Sequence, residues 1–168
     1  FSKALAALEH GETAERFELL SGRERLYDLL GERELQRADL QALGALAQRA
    51  QDPRLLAQAA LQTGAFAMNT GEPSAALQQA QAAVRSLGAE GPHPDSIHLL
   101  VDGYDLWGWA LWIQGEIQPA EQKLQTGLAL AGQHGYRLGE IKLLERLGVL
   151  AWSQGSYSQA RERLDQAL

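Results

Sequence analysis

Residues 147–168 read LGVLAWSQGSYSQARERLDQAL. Two apolar runs with helical spacing flank Gly155-Ser156, and a small residue stands on either side. Gly148 precedes the turn glycine by seven residues and Ala160 follows it by five. This is the pattern of a helical hairpin. The glycine and the alanine let two backbones approach closely at their crossing, and Leu164, Ala167 and Leu168 fill the widening gap beyond it. The turn glycine itself suits the left-handed conformation that ends a helix.

The same pattern recurs upstream. Gly31-Glu32, Gly71-Glu72, Gly115-Glu116 and Gly155-Ser156 are separated by 40, 44 and 40 residues. Gly64 and Gly108 match Gly148, while Ala76 and Ala120 match Ala160. Farther along, Ala80 and Leu124 match Leu164, and Ala83 and Gly127 match Ala167. A repeat of this length with helical patterning on both sides predicts a helical solenoid, in which each hairpin buries its apolar side against its neighbours.

These residues resemble the tetratricopeptide repeat, where glycine and alanine hold the close-packed positions of a helix–turn–helix unit. The best single match is Leu147-Gly148, Ala151, Gly155-Ser156-Tyr157, Ala160, Leu164 and Ala167-Leu168. The middle unit carries Tyr104, Trp107-Gly108, Leu111, Gly115-Glu116 and Ala120. The unit around Gly71 is weaker, with Pro73 and Ala80 where an aromatic and a large residue are usual. The spacing exceeds the ~34 residues of the common type. Longer repeats of this kind occur in large multidomain bacterial regulators beside nucleotide-hydrolysing domains, and the chain is more similar to those. The resemblance implies an all-α, right-handed α-solenoid of stacked antiparallel hairpins. Residues 1–53 form an N-terminal degenerate hairpin or linking repeat, and residues 54–168 form three tetratricopeptide-like repeats turning at Gly71, Gly115 and Gly155.

Composition agrees with the helical reading. The 168 residues hold only three Val, four Ile and four Thr, so strand-favouring types are scarce, while hydrophobic content reaches 45%. Fifteen basic and 21 acidic residues give a net charge of −6, without the basic stripe of a nucleic-acid footprint. There is no cysteine, which excludes disulfides, thiolate metal sites and cysteine nucleophiles. No apolar run approaches the ~18 residues that a membrane span needs, and no signal peptide is visible. The expected location is cytoplasmic. The chain reads as a piece of a longer array whose uncapped ends favour end-to-end self-association.

Along the chain, residues 2–10 read as the tail of an earlier helix, ended by His10-Gly11. Thr13 is the expected cap of a helix running to Leu30. Helices are then expected over about 33–51, 54–70, 74–87, 96–114, 118–132, 136–154 and 157–168, with residues 88–96 as the one clear loop. Glu24 stands where the later hairpins have their crossing glycine. His93, Asp95 and His98 cluster near that loop, but their spacing matches no recognised metal motif. No metal, cofactor or catalytic group is expected.

The resemblance places the first helix of each hairpin on the concave side. Its inward stripe stands 13, 10, 6 and 3 residues before each turn glycine. That stripe reads Gln58, Leu61, Ala65, Met68; then Asp102, Asp105, Trp109, Trp112; then Lys142, Glu145, Val149, Trp152. The packing positions are already filled by Trp107, Leu111, Leu147 and Ala151, so a second aromatic stripe points to interface anchors. The candidate binding residues are therefore Met68, Asp102, Asp105, Trp109, Trp112, Glu145 and Trp152, with the acids suggesting a ligand that carries positive charge. A basic clamp for an acidic peptide terminus is missing. The first expectation is a scaffold that binds a protein or peptide. The alternative is a small-molecule sensor domain of a multidomain ATPase-type regulator, with the tryptophans stacking on a flat ligand. An enzyme is not expected.

Overall fold

The computed structural model describes residues 13–88 and 94–167. Among them lie eight α-helices. These are α1 (Thr13–Leu30), α2 (Arg33–Ala50), α3 (Pro53–Asn69), α4 (Pro73–Gly88), α5 (Ile97–Ile113), α6 (Ile117–Gln133), α7 (Arg137–Ser153) and α8 (Tyr157–Ala167). A short 3₁₀ turn, Pro94–Ser96, leads into α5. No strand occurs among the described residues. The expected helix at residues 2–10, the His10-Gly11 break and His93 lie outside the described residues.

The four turns close as their glycines require. Gly31, Gly71, Gly115 and Gly155 have φ between +74° and +83°. Each donates its N–H to the carbonyl three residues back, and the next residue donates to the carbonyl five back. This double bond pattern satisfies the helix's last carbonyls and reverses the chain. Between hairpins, Gly135 and Tyr136 repeat the motif. Gln51 takes the same left-handed conformation before Asp52, whose carboxylate accepts from the N–H of Arg54 at 2.8 Å to cap α3.

Each helix packs on its sequence neighbours, and the first helices of successive hairpins also touch, α3 on α5 and α5 on α7. No packed pair joins α1 or α2 to α7 or α8 among the described residues. The arrangement is thus an open, repeat-like stack, with its apolar interior running along it. Phe17, Leu20, Leu43 and Phe66 tie α1 to α2 and α3. Leu100, Leu124, Leu143 and Leu147 continue the core through α5, α6 and α7.

The crossings follow the small-residue pattern. A Cβ added at Gly108 would lie 3.1 Å from the carbonyl oxygen of Ala120, and one at Gly148 would lie 3.4 Å from that of Ala160. At Gly64 a Cβ would lie 3.5 Å from the carbonyl oxygen of Ala76, and Leu106 of α5 comes closer still, with Cδ2 2.5 Å from where it would stand. The first hairpin solves its crossing with polar groups. Glu24 and Gln36 occupy the positions of Gly64 and Ala76, both are almost wholly buried, and Gln36 Nε2 donates to Glu24 Oε1 at 2.6 Å. Arg23 Nε also donates to the buried Asp39 at 2.7 Å, tying α1 to α2.

Candidate functional site

Contacts between successive first helices recur at nearly constant separation. Asn69 Nδ2 donates to Asp28 Oδ1, and Trp112 Nε1 donates to Ser153 Oγ, each across 41 residues at 3.4 Å. Both pairs join the position three before one turn glycine to the position two before the next. Lys142 Nζ donates to Asp102 Oδ1 at 2.9 Å across 40 residues, and Arg146 Nε donates to Asp105 Oδ1 at 3.1 Å across 41. Translation by one repeat therefore sets which side chains meet.

Between these helices runs a groove formed by two cavities. One, of about 500 Å³, lies against α1, α2, α3 and the start of α5. The other, of about 370 Å³, lies among α3, α5 and α7. They share Leu61, Gln62, Ala65, Asn69 and Asp102, so the groove is continuous along α3.

At the α7 end the charges are paired. Asp105 is 4% exposed and takes both Lys142, at 3.2 Å, and Arg146. Burial acts to lower the Lys142 pKa, but the facing Asp105 and Asp102 outweigh it and hold the ammonium above its ordinary range. The guanidinium carbon of Arg146 lies 4.0 Å from the Trp109 ring centre, and the Trp112 ring centre lies 4.3 Å from it. Trp109 is thus held between neighbours of its own chain by cation–π and aromatic contacts.

At the α1 end Glu18, Glu24 and Asp28 line the wall with Arg25. Burial pushes the Glu24 carboxyl above its ordinary range, partly offset by its bond from Gln36. A hydrogen bond from Arg33 lowers the pKa of Asp28. Arg33 also donates to Gln36 Oε1 at 2.6 Å, so a single polar chain runs from Glu24 through Gln36, Arg33 and Asp28 to Asn69 of α3.

Of the residues singled out from the sequence, Met68, Asp102, Asp105 and Trp109 surround the α3–α5–α7 cavity. Trp112 is half-buried and packs against the core behind Trp109. Glu145 is exposed and Trp152 is 64% exposed, and both stand outside these two cavities. The expected acidic character also shifts place. Asp102 and Asp105 are neutralised by Lys142 and Arg146, and the acid that remains lies at the α1 end. Sequence reasoning missed Gln62 and Arg146, which stand nine residues before Gly71 and Gly155. The signal available was charge complementarity, since Arg146 follows Asp105 by one repeat plus one residue.

Among the described residues no group of three metal-ligating side chains comes together, and no helix is long and apolar enough to cross a membrane. No known family's sequence profile matches the chain, and no curated protein matches it.

Proposed function

We propose that the chain is a protein-interaction module, a right-handed superhelix of tetratricopeptide-like hairpins that holds a peptide or partner segment in the groove between its first helices. Residues 54–168 supply the three regular repeats and residues 1–53 the degenerate one. The observation that carries this reading is the continuous groove, whose two cavities share four side chains of α3 and Asp102 of α5. An extended channel lined by mixed polar and apolar groups suits an extended ligand, which the repeat architecture favours. The small-molecule alternative loses support because Trp109 is already engaged by Arg146 and Trp112.

Ala65 tests the reading. It is exposed, stands on the floor of both cavities and belongs to no core cluster. Ala65→Arg fills the groove while leaving stability within about 0.5 kcal/mol. With a partner identified by capture on the full-length protein, the variant should lose at least tenfold in affinity at an unchanged melting temperature. Undiminished binding would move the site off the groove.

A further inference from the structure

We infer that the groove accepts its peptide in one orientation, with a cationic side chain against Glu18 and Glu24 at the α1 end and an apolar side chain against Met68 and Leu106 at the α5 end. The inference rests on the reading of the groove as a peptide site and adds the chemistry and polarity of the occupant.

Charge bookkeeping along the groove gives the polarity. In the α3–α5–α7 cavity, Asp102 and Asp105 are matched by Lys142 and Arg146. That end is electrically balanced, and apart from Gln62 its free lining is apolar: Leu61, Met68 and Leu106. In the other cavity, Asp28 is tied to Arg33 and Asp102 to Lys142. Among the described residues this leaves Glu18 and Glu24 facing the single cation Arg25. Glu18 is exposed and makes no ion pair among the described residues. Glu24 is buried with a carboxyl pushed upward by burial, a condition that a nearby cation relieves. The two ends therefore select different side chains, and a groove with two different ends orients what it binds.

A second observation lies between the ends. The carboxamide nitrogen and oxygen of Gln62 are both buried, and among the described residues neither makes a hydrogen bond. Gln62 borders both cavities. A carboxamide offers one donor edge and one acceptor edge, the complement of a peptide group. Buried polar atoms are ordinarily satisfied, so rotation of this side chain onto a passing main chain would remove an existing deficit. That contact is indifferent to peptide sequence, which leaves selectivity to the two ends.

The experiment is selection of a displayed library of random 12-residue peptides on the full chain, followed by fluorescence anisotropy with one enriched peptide. Enriched sequences should carry Lys or Arg on a constant side of an apolar residue. Glu18→Lys should weaken that peptide about fivefold or more, yet leave its Lys/Arg→Ala counterpart unchanged. Gln62→Leu should weaken both peptides alike, with circular dichroism confirming an intact helical fold. Enriched peptides without a cation, or with cation and apolar residue in either order, would overturn the orientation while leaving a peptide site standing. Equal loss for both peptides with Glu18→Lys, or no loss for either, would overturn the assignment of the cationic end. Failure to enrich any peptide would overturn this inference and the peptide-site reading together.

Discussion

A Cβ placed on Gly108 would stand 2.5 Å from Cγ of Leu124, across the α5–α6 crossing. The same construction at Gly148 leaves 3.1 Å to Cγ of Leu164. The two crossings occupy the same place in the repeat but differ in tightness, because the last hairpin is less closely packed than the one before it. Gly108→Ala should therefore cost about 1–3 kcal/mol by overpacking, and Gly148→Ala clearly less. Urea melts of the two variants give the comparison directly. Equal losses would mean that the α5–α6 crossing relaxes as readily as α7–α8.

Asp105 anchors α7 to α5 by holding two cations. Its carboxylate is 6% exposed, whereas Lys142 and Arg146 are 42% and 33% exposed. Removing the acid would leave Arg146 without its carboxylate while Lys142 keeps Asp102, and both cations can still turn toward water, so the loss should be smaller than for a fully buried pair. Asp105→Ala is expected to cost roughly 1–3 kcal/mol. It should also free Arg146 from its position over Trp109, readable as a change in tryptophan fluorescence. A silent emission spectrum would show that the cation–π contact holds Arg146 without Asp105.

The repeat was legible because its determinants are local. A glycine needed for a left-handed turn and a glycine needed for close approach are visible wherever they stand. Gly31, Gly71, Gly115 and Gly155 therefore marked all four turns. The first crossing was harder to read. Glu24 breaks the small-residue rule, and only its pairing with Gln36, twelve residues on, makes it a crossing of a different chemistry. The groove was harder still. A stripe taken at fixed offsets finds Asp102, Asp105 and Trp109, and Lys142 meets Asp102 one repeat on, but the contact of Asp105 with Arg146 steps by one repeat plus one residue. Arg146 therefore sits opposite Asp105 while Glu145 turns outward. Pairing across that step decides the net charge of the groove, and offsets on one helix do not reveal it.

Trp112 and Trp152 stand at equivalent repeat positions in different surroundings. Trp112 packs against the core and bonds to Ser153, whereas Trp152 is 64% exposed. Trp112→Ala should cost about 2–4 kcal/mol through lost packing. Trp152→Ala should stay within about 0.5 kcal/mol and leave peptide binding in the groove unchanged. Thermal melts and anisotropy titrations of both variants test this. A binding loss with Trp152→Ala at full stability would extend the site beyond the two cavities.

Glu24 makes stability depend on pH in an unusual direction. Unfolded, its carboxyl titrates near the ordinary ~4.3; in the fold, burial raises its pKa. Between those two values the folded state binds more protons than the unfolded state, so this group's contribution to stability falls as pH rises through the window. Asp28 behaves oppositely, because its pKa is lowered by Arg33. Its contribution is present above the ordinary aspartate value and is lost as pH falls through its folded value. Glu24→Gln keeps an acceptor for Gln36 Nε2 and removes the buried charge. The variant should be more stable than the parent at pH 7, and the gain should shrink toward pH 4 as the parent's carboxyl takes up its proton in the fold. Paired urea melts at the two pH values measure it. A gain of the same size at both would assign the effect to packing, and a loss at pH 7 would show that the ionised carboxylate is the form the first crossing requires.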